Sequence, residues 1–371
     1  TDMVAAEPAL ARRLLRTLGA PDSAAAALAA RLRETAAAGR PIVVVGCGTS
    51  EHGALAIAEI LRDAFRTTGL PSALGAGGAP VAVQAFEAAL DAGLPGPGSL
   101  VIGVSHEGAT WATNRALDAA RTSGAATALV TVSDASPGAG LADIVIATGE
   151  LDQSWCHTIG YLAPILAAAA VAGHLTGIPP DGDAAHDLLS AGAGAAGQAT
   201  ARSIATALAG IDQLIVLGSG IDRTAARELT LKVEEGVHLP AAMRDLETML
   251  HGHLAGVDER TGVVLILTER GNRGARTARA VGALKACRVL GLPVAAILAD
   301  VVAEAIDPVL TPAGRIDLPD PAALAAPVAS LVGTAAALQT LTLALALDRG
   351  IDPDPIRRDD QRYLAAADAA G

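Results

Sequence analysis

An unbroken apolar run at residues 42–45 ends in Gly46-Cys47-Gly48-Thr49-Ser50 and passes directly into a helical pattern at 54–65. A short, wholly apolar strand that enters a glycine turn and then a helix is the βα unit of a parallel sheet buried on both faces. The unit recurs. Residues 100–104 form the next strand, Ser105-His106-Glu107-Gly108-Ala109-Thr110 the turn and 111–123 the helix; strands at 127–132 and 144–148 and a helix at 161–175 complete a first half. After residues 176–195, rich in Pro, Gly and Asp and read as a linker or helix boundary, the order repeats: strand 213–217, turn Gly218-Ser219-Gly220, helix 224–236, strand 262–267, helix 276–290, strand 294–298 and helix 327–346. The 172 residues that separate Gly46 from Gly218 are too many for a solenoid repeat and suit a duplicated α/β domain.

The expected fold class is therefore α/β, with two domains in tandem, each a parallel sheet flanked by helices in an α/β/α sandwich. The expected boundaries are an N-terminal helical segment at 1–39, a first domain at 40–178, a linker or helix at 179–200, a second domain at 201–349 and a tail at 350–371. Leu and Ala at helical spacing over 5–39, ending at Gly39 before Pro41, predict a helix there. A length of 371 residues agrees with two domains. Aromatics are only 2% of the chain although half of it is apolar, so the core must be built from Ala, Val, Leu and Ile.

Charge and cysteine usage narrow the partners. A formal charge of −12 with no Lys/Arg-rich run argues against nucleic acid or an anionic membrane surface. Cys47, Cys156 and Cys287 are too far apart for a disulfide framework or a metal cluster, which suits a reducing cytoplasm. The first residues lack the charged start and apolar run of a signal peptide. Mean hydropathy is positive, but apolar stretches such as 162–171 stop short of the roughly 20 residues a membrane span needs; they read as buried helices.

Ligands of open parallel sheets bind at the carboxyl ends of the strands, where turns meet helix N-termini. Thr49, Ser50, Ser105 and Thr110 fall there, and hydroxyls beside free backbone N–H groups make a site for a phosphate or another anion. Neither nucleotide motif is present: no Gly-Lys-Ser/Thr follows either turn, and Gly46-Cys47-Gly48 is followed by Glu51 rather than a third glycine.

In order and spacing, Gly46-Cys47-Gly48-Thr49-Ser50, then Ser105-His106-Glu107-Gly108-Ala109-Thr110, then Leu231-Lys232-Val233-Glu234-Glu235 and His251-Gly252-His253-Leu254 resemble the tandem sugar isomerase (SIS) domains of the isomerase half of glucosamine-6-phosphate synthase and related phosphosugar isomerases and deaminases. The likeness runs from about residue 40 to 360. It implies a pocket for a sugar or sugar phosphate in which Gly48, Thr49, Ser50, Ser105, His106, Glu107, Thr110 and His157 bind substrate. It further implies that Glu235 shuttles a proton between C1 and C2, that His251, often supplied by the neighbouring subunit, assists ring opening, and that Lys232, one helical turn before Glu235, holds the carboxylate or an enediolate. A homodimer is the implied assembly; no cofactor and no metal are implied.

Plainer readings stand beside these. Glu235 and Lys232 also fit an ordinary surface pair at i, i+3, and His157 a core histidine. His251 and His253 flank Gly252, but no third ligand stands at metal spacing. Ser219 and Thr224 are the second half's counterpart of the first turn, expected to be structural.

Two departures redirect the expected chemistry. Where relatives carry Ser-x-Ser-Gly-x-Thr, Glu107 replaces a phosphate-facing hydroxyl, so an ionised carboxylate would repel a phosphate unless His52 or His106 offsets it. The chain's two lysines are Lys232 and Lys285, and Gln361 stands where the synthase forms its imine, so that imine is not expected. Nothing in this chain corresponds to the synthase's glutamine-hydrolysing domain. The expected activity is sugar isomerisation, with amine release from a ketosamine or ligand sensing without catalysis as alternatives; no DNA-binding helix-turn-helix is visible.

Overall fold

The computed structural model describes residues 2–73, 75–90 and 95–370; the extreme ends of the expected first and last segments, Thr1 and Gly371, lie outside them. Helices α1 (Asp2–Leu18) and α2 (Ala24–Ala37) precede the first sheet, so the single helix expected over 5–39 is two. The break falls at the Pro21-Asp22-Ser23 turn, where the Ser23 hydroxyl accepts from Ala26 N–H (3.2 Å) and caps α2.

In chain order there follow β1 (Ile42–Gly46), α3 (Thr49–Thr68), β2 (Pro80–Gln84), α4 (Ala85–Leu90), β3 (Leu100–Val104), α5 (Trp111–Thr122), β4 (Ala126–Thr131), β5 (Ile144–Ala147) and α6 (Ile159–Thr176). The five strands make one parallel sheet in the order β2-β1-β3-β4-β5. The segment read as a linker contains two helices, α7 (Gly182–Ala193), capped by Asp181, and α8 (Ala195–Ala207).

The second half comprises β6 (Gln213–Gly218), α9 (Asp222–Val237), β7 (Ala241–Asp245), α10 (Leu246–Leu250), β8 (Thr261–Leu267), α11 (Arg273–Val289), β9 (Val294–Ala299), α12 (Asp300–Ala303), β10 (Gly314–Leu318), α13 (Ala326–Asp348) and the tail helix α14 (Gln361–Ala370). Its parallel sheet has the order β10-β9-β8-β6-β7, which is the first sheet's order read from the other edge. The duplicated α/β architecture read from the sequence is therefore present, down to the switch point between the first and third strand of each half, where such sheets bind ligands.

One apolar cluster joins the halves. It runs from α1, α2, α3 and α6 through α7 and α13 to the inner faces of β6 and β9. Helices α6 (18 residues) and α13 (23 residues) are apolar all round and long enough to cross a membrane, but 78% and 94% of their apolar windows are buried inside the protein; a helix without a polar face belongs in a core. Two smaller clusters cover the outer sheet faces, under α4 and α5 in the first half and under α10 and α11 in the second. Glycine at 46 and 218 is what lets each strand run so tightly into its helix. A side chain on Gly46 would collide with the Ser50 carbonyl, and one on Gly218 would sit 2.8 Å from that of Asp222.

Candidate functional site

Helix α3 of the first half packs against α9 of the second, and the site lies at this junction. Thr49 and Ser50, at the start of α3, are both buried. Thr49 Oγ1 donates to Glu228 Oε1 on α9 (3.3 Å), and His52 Nδ1 lies 2.6 Å from Glu228 Oε2. Glu228 is fully buried and was not among the residues singled out from the sequence. Its signal was there: Glu228, Lys232 and Glu235 are spaced four and three apart, one stripe on a helix.

Lys232 lies between the two carboxylates, its Nζ 2.7 Å from Glu235 Oε2 and 3.5 Å from Glu228 Oε1. Its side chain is only 2% exposed, which overturns the surface-pair reading. Burial alone would depress its pKa, but the charges of Glu228 and Glu235 outweigh burial and raise it. Lys232 is thus a fixed ammonium and a poor nucleophile, since imine formation needs the free amine. Burial pushes Glu228 up, yet Lys232, His52 and Thr49 together hold it below its ordinary value. Glu235 behaves differently: burial raises it above the usual carboxylate range, and Lys232 only partly opposes the rise. Glu235 thus ends an otherwise ionised stripe as a carboxyl of raised pKa, 24% exposed on its side chain.

The second loop is rigid. Thr131 Oγ1 and Val132 N–H both donate to the His106 carbonyl, and Asn114 Nδ2 and Gly138 N–H both donate to that of Gly108. Gly108 takes φ +71, and a side chain there would meet Ser136 Cβ at 2.6 Å. Ser105 Oγ and Thr110 Oγ1 lie 3.0 Å apart, so the two expected anchor hydroxyls converge. His106 is buried and its Nε2 accepts the backbone N–H of Asp152 (2.9 Å), which leaves the ring proton on Nδ1. Burial lowers the pKa of His106 and of His157, whose ring centroid is 5.2 Å away. Asp152 in turn accepts from the backbone N–H groups of Thr158, Ile159 and Gly160 and fixes the start of α6. Glu107 projects from this frame into solvent.

Within one chain the structure brings Gly48, Thr49, Ser50, Lys232 and Glu235 into one linked group, and Ser105, His106, Thr110 and His157 into a second. His251 is in neither. It follows α10, is 70% exposed on its side chain and pairs with Glu247 (2.7 Å), which Arg279 also holds. Gln361 opens α14, exposed. The tail before it closes on the site: Trp155 N–H donates to Asp354 O (3.1 Å), the Arg358 guanidinium stacks 3.6 Å over the Trp155 ring, and Pro353 and Asp354 line a small cavity that reaches Lys232.

The second half's equivalent turn is bonded internally. Asp222 stands where the first half has Ser50 and accepts from Thr268 N–H (2.7 Å), Thr268 Oγ1 (2.5 Å) and Glu269 N–H (3.0 Å). Glu269 Oε2 accepts from Ile221 N–H (3.0 Å), and Arg276 holds Ser219. The chain's own carboxylates thus take the backbone donors of Ile221, Thr268 and Glu269. Among the described residues no group of three or more His, Cys, Asp or Glu side chains is placed to hold a metal ion.

Comparison with known proteins supports the same frame. No protein-family model matches the chain. The isomerizing glutamine–fructose-6-phosphate aminotransferase of Pyrobaculum aerophilum is 28% identical over 333 residues, 86% of this chain and 50% of that protein, so the chain spans about half the length of this curated relative. Among solved structures, the C-terminal domain of glucosamine-fructose-6-phosphate aminotransferase from Francisella tularensis superposes with a TM-score of 0.77 at 17% identity, covering 95% of this chain and 96% of that one. Tagatose-6-phosphate ketose/aldose isomerase from Escherichia coli gives 0.70 at 19% identity, over 96% and 94%. The resemblance to tandem SIS proteins and to the isomerase half of the synthase therefore holds in sequence and in fold.

Proposed function

We propose that the protein is a sugar isomerase of the SIS type that interconverts an aldose and a ketose through an enediol. The observation that carries this reading is the buried Glu228–Lys232–Glu235 stripe, joined through Thr49 and His52 to the anchor turn of the other half. In the forward step Glu235 removes the proton from C2 of the open-chain sugar. The C–H electron pair becomes the C1–C2 double bond, and the carbonyl pair moves to O1, which takes up a proton. Protonated Glu235 then returns its proton to C1 while O2–H is lost and the C2 carbonyl forms. Lys232, locked as an ammonium, orients Glu235 and supplies positive charge beside the developing oxyanion. Because Lys232 is locked and Gln361 replaces the imine-forming lysine, the enediol route is favoured over imine chemistry. Thr49, Ser50, Ser105 and Thr110 anchor the sugar. His251 completes the site from a second copy of the chain, since its own copy leaves it solvent-facing.

Exchange of the C2 hydrogen in D2O, followed by NMR, tests this. Glu235→Gln should slow exchange about 100-fold or more, the usual weight of a general base, while calorimetric affinity for the sugar stays within a factor of three. Equal exchange in both proteins would refute the mechanism. Binding without exchange in the wild type would make the protein a sensor.

A further inference from the structure

We propose that the cleft between α3 and the start of α9 is a second ligand site, separate from the Glu235 pocket, which takes a small phosphate monoester among three arginines. The cleft has a volume of about 320 Å³, at the lower end of small-molecule sites, which run from roughly 300 to 1,000 Å³. No residue of the Thr49–Glu235 group lines it. Helix α3 contributes Glu59 and Arg62, and α9 contributes Arg223 and Arg227. At about 1.5 Å per residue, Arg62 is roughly 20 Å along α3 from Thr49, so the cleft occupies the far end of the helix pair that carries the first site.

In a chain of formal charge −12, three guanidiniums against one carboxylate reverse the sign locally. Two of the three are held in place. Arg62, with a side chain only 12% exposed, pairs with Glu59 and donates from Nη1 to the Pro80 carbonyl (3.0 Å). Arg223 Nε lies 2.7 Å from Asp245 Oδ1, and its terminal nitrogens have no partner among the described residues. Arg227 is exposed and has neither an ion pair nor a side-chain hydrogen bond among the described residues. Like charges gathered in one cleft repel each other, and a dianion between them removes that cost. The planar fork of arginine also matches phosphate oxygens with two parallel N–H donors. The remaining wall is apolar, with Leu55 on α3 and Val81 and Ala82 on β2, so the ligand carries a small carbon body as well as its charge. Arg62 belongs to the first half, Arg223 and Arg227 to the second; the bound anion bridges the two. The site stands whether or not the first pocket catalyses isomerisation.

Calorimetric titration of the full chain with phenyl phosphate, which offers no sugar to the Glu235 pocket, tests this. Thr110→Val impairs the anchor hydroxyls, so that binding there does not mask the cleft. Thr110→Val should bind phenyl phosphate at least three-fold more tightly than inorganic phosphate. Adding Arg227→Gln or Arg223→Gln should weaken that binding ten-fold or more, whereas Arg288→Gln, which removes the same charge from the exposed end of α11, should change it less than two-fold. No binding to Thr110→Val, equal affinity for the two phosphates, or an effect of Arg288→Gln as large as that of the cleft variants overturns the proposal. So does a fall in mass by light scattering on Arg227→Gln with no phosphate bound by any form, which would assign these arginines to a contact between subunits.

Discussion

Replacing Glu7 with glutamine should stabilise the protein, and the gain should grow with pH. Glu7 lies on α1, wholly buried, and neither carboxyl oxygen has a hydrogen-bond partner. Burial pushes its pKa from 4.5 up to about 8, with the nearby Gln339 opposing and Asp152 adding to the rise. A carboxyl whose folded pKa is raised binds its proton more tightly in the folded state, so its contribution to stability falls as pH rises from the unfolded value to the folded one. At pH 7 the group must be protonated on folding, which costs about 3 kcal/mol at 1.36 kcal/mol per unit of pH above 4.5; the cost levels off at about 5 kcal/mol above pH 8. Glutamine keeps the shape and a donor for Gln339 Oε1, which is itself buried without a partner, and has no charge to neutralise. Denaturant midpoints of wild type and variant at pH 4, 7 and 9 provide the check. The curves should nearly coincide at pH 4 and separate at pH 7 and 9. Parallel pH dependence would show that Glu7 is hydrated or paired when folded and would refute the argument.

Lys232→Met should move the acid limb of the pH–rate profile upward, because the lost ammonium was holding Glu235 partly ionised and activity appears only as Glu235 loses its proton. An unmoved limb would mean that another group titrates. Asp222→Ala should cost about 2–4 kcal/mol in denaturant unfolding, since it strands the buried N–H and hydroxyl of Thr268; a change below 1 kcal/mol would contradict the strut role of Asp222. Arg358→Ala should free the tail from Trp155, seen as faster proteolysis after residue 350 with little change in global stability. Equal cleavage rates would show that the Trp155–Asp354 backbone bond suffices.

Those parts of the fold that the sequence reveals are the ones buried on both sides. Central strands such as Leu100–Val104 and Val294–Ala299 are uniformly apolar, so their type and position can be read directly. Three of the four edge strands, β2, β7 and β10, cannot: Pro80-Val81-Ala82-Val83-Gln84 and Ala241-Ala242-Met243-Arg244-Asp245 are mostly half-buried and end in polar side chains. In the same way the anchor hydroxyls were legible because they adjoin glycine turns at strand ends. Glu228 was not, because what defines it is a contact made 176 residues away in sequence, with His52. A helical stripe in sequence shows which residues share a face; it does not show that the face is buried against another domain.

The two halves bond the corresponding turn differently. Both present a glycine turn after the first strand and the same switch point. In the first half the turn ends in Ser50, buried at the start of α3. In the second, Asp222 reaches across, takes the donors of Thr268 and Glu269, and is buried at a pKa raised by that burial to about 6. The longer, acidic side chain acts there as a strut. Its helix α9 is thereby held fast at its start, and that fixed helix is the one that carries Glu228, Lys232 and Glu235 to the turn of the other half. The second half's turn thereby fixes the helix whose Glu228 meets Thr49 and His52 of the first half.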